Sequence, residues 1–179
     1  YCLTMDIIKG LYIGMVICIN DSIMHVQKNL KLFKPEIVLL VPMVIESIYA
    51  KLKDVSKLIP KKAAAHAAFG GNLRIICSGG AYLDPEYVDR FKEYGITILQ
   101  GYGMTECSPV ISNNLEWDNR RGSVGKLLPN CQAKVVDDEI WVKGSSVMMG
   151  YYKMPEETAE TLEDGWLKTG DLGYVDEDN

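Results

Sequence analysis

The sequence lacks the cysteine pattern of a disulfide-bonded or zinc-binding protein. Its cysteines are odd in number, and no two of them form a CxxC pair. Cysteines that build disulfide frameworks or zinc sites come in pairs or close clusters. The five thiols are therefore interpreted as buried or incidental, and they predict a reducing compartment such as the cytoplasm: Cys2, Cys18, Cys77, Cys107 and Cys131.

The 179-residue sequence also lacks an excess of positive charge and long apolar runs. Its net charge of -5 and pI near 5.1 argue against a nucleic-acid-binding protein, because such a protein needs basic groups to neutralise phosphates. The longest apolar runs, 11–19 and 37–45, are too short for a transmembrane segment. What is present is the composition of a globular protein, 47% hydrophobic and 24% charged.

The first hundred or so residues alternate between short apolar runs and helical patterns. Runs rich in β-branched residues predict strands at 14–20, 35–42, 73–80 and 96–101. Capping residues, glycine stops and 3.6-residue spacing predict helices over about 22–33, 44–52, 63–69 and 84–94. This alternation predicts an α/β fold, with a mainly parallel sheet and helices on both faces. In such a sheet, ligands bind at the carboxyl ends of the strands.

After about residue 110 the composition changes to glycine, proline and short runs of valine and isoleucine. Asp137 and Asp138 lie between AKVV and EIWV, which predicts an antiparallel hairpin. The sequence therefore predicts an α/β subdomain over 1–110 and a small antiparallel β subdomain over 111–179. The boundary between them is expected near 110–122.

The stretch QGYGMTE follows directly on the last of the predicted parallel strands. Gly101 and Gly103 let the backbone approach a ligand closely. Tyr102 offers a flat face on which a base can stack. Thr105 offers a hydroxyl to a phosphate oxygen, and Glu106 offers the kind of carboxylate that binds Mg²⁺. The alternative interpretation is a plain turn with a core tyrosine.

Two further glycine-bearing stretches could complete a site with QGYGMTE. SGGAYL, residues 78–83, ends a predicted strand and provides a second backbone wall at the same sheet edge. WLKTGDL, residues 166–172, places Asp171 after a glycine, where its carboxylate could accept two hydrogen bonds from ribose hydroxyls. Taken alone, the first is equally a strand end, and the aspartate equally a residue that stabilises its own turn.

These motifs, in this order, resemble the AMP-forming adenylating enzymes, which include acyl-CoA synthetases, luciferases and peptide-synthetase adenylation domains. The resemblance covers nearly the whole chain and runs through SGGA, QGYGMTE, EIWVKGSSVMMGYYKMPEETAE and DGWLKTGDL. Within the superfamily, GYGMTECSPV and VPMVIESIYAKL are most similar to the long-chain fatty-acyl-CoA synthetase branch.

The resemblance implies a role for each side chain that matches the family motifs. Tyr102 matches the tyrosine that stacks on adenine, and Gln100 matches the amide at the edge of the base. Asp171 matches the aspartate that binds the ribose. Thr105 matches the threonine that contacts phosphate, and Glu106 matches the carboxylate that holds Mg²⁺. Thr105 and Glu106 are thus the candidate catalytic residues.

The resemblance also implies backbone contacts and a set of ligands. Gly101 and Gly103 match the backbone near the acyl group and the α-phosphate. The stretch that lines the other side of the base corresponds to Gly80, Ala81 and Tyr82. The implied ligands are ATP, Mg²⁺, coenzyme A as co-substrate, and a fatty acid or another carboxylic acid.

The reaction implied by the resemblance has two steps and needs no covalent nucleophile from the protein. A carboxylate attacks the α-phosphorus of ATP and pyrophosphate leaves; the thiol of coenzyme A then displaces AMP. Two alternatives stay open at this point. One is an adenylating enzyme for another acid, aromatic or an amino acid. The other is a non-catalytic nucleotide-binding module on the same scaffold.

We predict that this chain alone forms neither acyl-adenylate nor thioester. The family's glycine-, serine- and threonine-rich phosphate loop is expected upstream of Tyr1, and its domain with the catalytic lysine beyond Asn179. These parts supply most of the cationic groups that neutralise the phosphates. Release of pyrophosphate from ATP and a fatty acid measures the activity. Release by the isolated chain well above that of its Glu106→Ala variant would contradict the prediction.

Overall fold

The first half of the chain alternates strands and helices, as predicted. The computed structural model describes residues 3–177. Before the first strand it contains a π-helix, a short helix, a 3₁₀ turn and a longer helix: Leu3–Ile8, α1 Lys9–Tyr12, Ile23–His25 and α2 Val26–Phe33. The alternating elements are β1 Ile37–Leu40, α3 Pro42–Val55, α4 Lys61–Phe69, β2 Ile75–Ser78, α5 Glu86–Lys92 and β3 Thr97–Gly103.

The second half is built mainly from short strands. A 3₁₀ turn and two strands follow β3: Thr105–Cys107, β4 Val110–Asn113 and β5 Lys126–Leu127. The remaining elements are β6 Cys131–Val136, β7 Glu139–Gly144, α6 Pro155–Thr161, β8 Leu162–Glu163 and β9 Trp166–Leu172.

Capping residues, a proline and a glycine mark where helical segments begin and end. The Ser22 hydroxyl accepts a hydrogen bond from the Met24 N–H and so caps the 3₁₀ turn that leads into α2. Pro42 lies in the first turn of α3, where its missing N–H costs nothing. Gly70 ends α4 at φ +81°, a left-handed conformation that glycine adopts without strain.

The first sheet has the order β1-β2-β3-β4-β5 and carries the parallel strands. β1, β2 and β3 pair in parallel, whereas β4 and β5 continue the sheet in antiparallel fashion. In the register of β2 and β3, Ser78 lies opposite Gln100, so the carboxyl ends of these strands lie side by side. The predicted α/β class, a parallel sheet with helices followed by antiparallel β structure, is confirmed.

The second sheet is antiparallel throughout and has the order β6-β7-β9-β8. Its first hairpin is the one predicted between AKVV and EIWV. Asp137 and Asp138 form the turn at φ +50° and +66°, and such left-handed turns match the natural twist of a hairpin.

Two hydrophobic clusters stabilise the fold. The first packs the helices on the parallel strands through residues such as Ile45, Phe91 and Ile98. The second consists of four buried residues, Ile111 of the first sheet, Val142 and Leu167 of the second, and Cys107 of the 3₁₀ turn, so it holds the sheets together. The division of the chain near 110–122 stays a prediction, and β4 and β5 pair with the first sheet.

The predicted strand at 14–20 is wrong. Residues 15–20 have no regular secondary structure and belong to neither sheet. Val16 is 90% exposed and Ile19 is 72% exposed. An apolar run forms a strand only where a neighbouring strand pairs with its backbone groups, and no described strand lies beside this one.

The structure also bears on the membrane and cysteine predictions. No helix among the described residues combines the length and the apolar character needed to cross a membrane. Cys18, Cys107 and Cys131 are free thiols. Cys2 lies outside the described residues.

We predict that Leu52→Ala destabilises the protein by about 2–5 kcal/mol, the range for removing a buried leucine and leaving a cavity. Leu52 is 2% exposed in α3 and belongs to the first cluster. Leu58→Ala is the matched control, because Leu58 follows the same helix and is 87% exposed. Urea unfolding measures both. Equal midpoints for the two variants would contradict the packing described.

Candidate functional site

Tyr102 and Asp171 are in direct contact although they lie far apart in the chain. Tyr102 lies near the end of β3, and Asp171 lies in β9 of the second sheet. The Tyr102 hydroxyl donates a hydrogen bond to Asp171 Oδ2 at 2.6 Å. Burial raises the pKa of the Tyr102 phenol, and the bond to the carboxylate raises it further. The phenol therefore stays protonated near neutral pH and remains a donor to Asp171.

Glu106 is half-buried in the 3₁₀ turn after β3 and is held from two directions. The Tyr151 hydroxyl donates a hydrogen bond to Glu106 Oε1 at 2.8 Å. The Met148 N–H donates to the backbone carbonyl of Glu106 at 2.7 Å. The hydrogen bond to Glu106, and to a smaller extent burial, raises the pKa of the Tyr151 phenol. The segment between β7 and α6 thus fixes both the side chain and the backbone of Glu106.

Tyr151 is a residue of the site that reasoning from the sequence missed. Its only local signal is its place after a glycine in the run MMGYY, within a stretch already matched to the family. Its partner Glu106 lies 45 residues away in the chain. A hydroxyl that bonds to so distant a carboxylate leaves no short-range pattern, so the contact becomes visible only in the fold.

The loop after β2 contains three of the predicted residues, all of them exposed: Gly80, Ala81 and Tyr82. The ring of Tyr82 projects from this loop and is 81% exposed. Gln100 Nε2 donates a hydrogen bond to the Leu83 carbonyl at 3.2 Å. The loop is therefore tied to β3 and lies at the same sheet edge as Gln100.

Gly103 is required by the packing of the chain itself. β3 and β4 pair with a shift in register between Tyr102 and Gly103. A Cβ atom at Gly103 would collide with the carbonyl group of Pro109. A larger residue would therefore force the two strands apart, and this close approach sets the position of Tyr102.

Gly101 and Thr105 complete the predicted set. Gly101 pairs with Asn113 of β4 and is half-buried. Thr105 opens the 3₁₀ turn beside Glu106 and is exposed. Among the described residues, no hydrogen bond joins the Thr105 side chain to another of the predicted site residues.

Cys107, next to Glu106, is unsuited to act as a nucleophile. It is fully buried in the second cluster. Burial raises the pKa of its thiol to about 12, with smaller contributions from Cys131 and Glu106. The reactive form of cysteine is the thiolate, so this thiol is inert at neutral pH.

Within the described part of the chain, Glu106 is not part of a metal-binding cluster. Across residues 3–177, no group of three or more His, Cys, Asp or Glu residues could hold a metal ion. Mg²⁺ commonly binds to one or two carboxylates and takes its other ligands from phosphates and water. Glu106 fits that mode of binding, because Tyr151 bonds to only one of its two oxygens.

Two cavities in the described part of the chain are lined by none of the predicted site residues. One, of about 530 Å³, opens beside β7 and is lined by residues such as Asn130 and Lys143. The other, of about 290 Å³, is lined by residues such as Asn114 and Arg120. Tyr102 and Asp171 instead lie where the end of β3 meets β9.

The family described as "AMP-binding enzyme" matches residues 1–152 of the chain. A 4-coumarate–CoA ligase-like 4 protein of Oryza sativa subsp. japonica is 43% identical over 125 residues, which cover 60% of this chain and 23% of that protein. The long-chain-fatty-acid–CoA ligase FadD15 of Mycobacterium bovis is 40% identical over 130 residues, which cover 72% of this chain and 21% of that ligase. The chain thus spans roughly a quarter or less of these curated relatives.

Solved structures of two CoA ligases share the fold. The anthranilate CoA ligase AuaEII, in complex with anthranoyl-AMP, matches with a TM-score of 0.85 at 25% identity, over 99% of this chain and 35% of that chain. The o-succinylbenzoate CoA synthetase MenE of Bacillus subtilis, in complex with ATP and a magnesium ion, matches with a TM-score of 0.72 at 26% identity, over 96% and 36%. Since the family match covers most of the sequence, the chain belongs to the AMP-binding enzyme family.

Proposed function

We propose that this chain is part of an ATP-dependent acyl-CoA synthetase that activates a fatty acid to acyl-AMP and transfers the acyl group to coenzyme A. The observation that carries the proposal is the hydrogen bond between Tyr102 and Asp171. It brings together, from two separate motifs, the ring that we propose stacks on adenine and the carboxylate that we propose binds the ribose. Glu106 lies in the turn that follows Tyr102.

The nucleotide would lie across the end of β3. Tyr102 would stack on the adenine, with Gln100 at the edge of the base and the loop 80–82 on its other side. Asp171 would bind the ribose hydroxyls. An ionised carboxylate has about four acceptor positions, so the bond from Tyr102 leaves room for the ribose at Asp171.

The phosphates would extend toward the 3₁₀ turn. The exposed Thr105 hydroxyl would donate to a phosphate oxygen, and the backbone at Gly101 and Gly103 would lie near the acyl group and the α-phosphate. Glu106 would hold Mg²⁺, which when bound offsets the charge on the phosphate oxygens. Tyr151 would fix the orientation of the Glu106 carboxylate, because it bonds to one of its oxygens.

The chain would act by positioning and charge, as in other phosphoryl-centre displacements. A carboxylate oxygen of the acid bonds to the α-phosphorus, and the bond from that phosphorus to the pyrophosphate oxygen breaks. The sulfur of coenzyme A then bonds to the acyl carbon, and the bond between that carbon and the AMP oxygen breaks. The thiol proton passes to solvent. The inert thiol of Cys107 agrees with a route that uses no protein nucleophile.

A long-chain fatty acid is the favoured substrate, and an aromatic acid is the second candidate. The fatty acid is supported by the motifs GYGMTECSPV and VPMVIESIYAKL and by the likeness to FadD15. The aromatic acid is supported by the likeness to the 4-coumarate–CoA ligase-like protein and to the anthranilate ligase fold. The free thiols support a reducing location such as the cytoplasm.

We predict that the full-length protein releases pyrophosphate from MgATP in the presence of a fatty acid and coenzyme A. We expect kcat/KM to rise with chain length, because each methylene buried in an apolar pocket adds a favourable contribution of about 1 kcal/mol. The acids to compare are saturated acids of increasing length, 4-coumarate, anthranilate and an amino acid. A higher kcat/KM for an aromatic acid would select the second candidate. Binding of MgATP without turnover of any acid would indicate the non-catalytic module.

We predict that Glu106→Gln lowers kcat/KM of the full-length protein at least about 100-fold, because the amide removes the charge that would hold Mg²⁺. Glu157→Gln is the matched control, since Glu157 is an exposed carboxylate on α6. Pyrophosphate release over a range of Mg²⁺ concentrations measures both variants. A Glu106→Gln protein with unaltered activity and Mg²⁺ dependence would refute the role of Glu106.

A further inference from the structure

The pairing of β7 with β9 is interrupted next to Asp171. Glu139 pairs with Leu172, but Trp141 pairs with Lys168. Ile140 alone therefore lies opposite the segment 169–171, which bulges out of the ladder. Bulges of this kind re-aim side chains and interrupt the regular hydrogen bonds. The segment that presents Asp171 must be held by contacts other than the ladder.

Glu139 supplies the main contact. Its Oε1 accepts a hydrogen bond from the Gly170 N–H at 2.7 Å. Its Oε2 accepts one from Trp141 Nε1 at 2.9 Å. The same carboxylate thus connects the backbone just before Asp171 to an indole anchored in the sheet. Gly170 itself has φ +73°, so its amide is directed by a left-handed backbone conformation.

Thr169 holds the other side of the bulge. Its hydroxyl donates to the Ile140 carbonyl at 2.6 Å and accepts from the Asp171 N–H at 3.1 Å. Each of the two residues before Asp171 is therefore fixed to β7, one through Glu139 and one through Ile140. Little freedom remains for the backbone that carries the Asp171 carboxylate.

Both groups that point at the Glu139 carboxylate are donors. An ionised carboxylate is an acceptor at both oxygens, so it satisfies the amide and the indole together. A glutamine would have to turn its own NH₂ group toward one of these two N–H groups and would lose that bond. The indole is itself fixed, because Lys134 and Lys168 lie over the Trp141 ring at 4.6 and 5.1 Å.

We propose that Glu139 is a positioning residue for the nucleotide ribose, acting through Gly170 on the orientation of Asp171. This inference rests on the proposed function, in which Asp171 binds the ribose hydroxyls. Glu139 itself does not touch the ligand. We expect a change at Glu139 to alter the preference of the protein for ATP over a nucleotide that lacks a ribose hydroxyl.

The test compares ATP with 2′-deoxy-ATP as substrates of the full-length protein, by acid-dependent pyrophosphate release. We expect the unaltered protein to favour ATP in kcat/KM and Asp171→Asn to lose most of that preference. We expect Glu139→Gln to lower the preference at least about threefold, mainly through KM for ATP, because one of the two hydrogen bonds that Glu139 makes to Gly170 and Trp141 is lost.

Glu160→Gln is the matched control. Glu160 is an exposed carboxylate on α6, away from the hydrogen bonds of the bulge, so we expect the preference to stay unaltered. Should Glu139→Gln fail to fold, Trp141→Phe removes the indole donor and keeps an aromatic ring. We expect this variant also to lower the preference for ATP.

The possible results separate the inference from the proposed function. A Glu139→Gln protein that loses activity equally with both nucleotides would overturn the inference alone, since a general structural defect does not distinguish them. If Asp171→Asn leaves the preference unaltered, or if the unaltered protein uses no ATP, the proposed function fails and the inference fails with it.

Discussion

The hydrogen bond from Tyr102 to Asp171 is the contact on which the proposed site depends, because it joins the end of the parallel strands to the antiparallel sheet. It does not by itself hold the sheets together. Each buried aliphatic side chain contributes about 1.5–3 kcal/mol, and the second cluster contains three of these beside Cys107. A single hydrogen bond contributes about as much as one such side chain. Burial therefore holds the sheets, and the hydrogen bond orients the groups at the surface.

Two phenol–carboxylate hydrogen bonds connect the segments of the proposed site. Tyr102 donates to Asp171, and Tyr151 donates to Glu106. Both phenols have raised pKa values, so both remain donors near neutral pH. Each phenol bonds to one oxygen of its carboxylate and leaves the other oxygen available. The proposed function assigns the ribose hydroxyls to Asp171 and Mg²⁺ to Glu106.

Much of the fold could be predicted from the sequence because its signals are local. Apolar runs marked β1, β2 and β3, Gly70 marked the end of α4, and the pair at Asp137 marked a hairpin. The strand predicted at 14–20 was wrong, because the composition of a segment does not show whether another strand lies beside it. The motif residues were predicted from their chemical types and from the family resemblance, and their roles stay predictions. Tyr151 and Glu139 were not predicted, because their roles arise from hydrogen bonds between segments that only the fold brings together.

The two phenol–carboxylate hydrogen bonds connect the halves of the molecule with donor and acceptor exchanged. In one, the ring belongs to the parallel sheet and the acid to the antiparallel one; in the other, the acid follows β3 and the ring precedes α6. Both hydrogen bonds therefore link the parallel part of the chain to the segments that follow it. A displacement of one part relative to the other would disturb the position of both carboxylates.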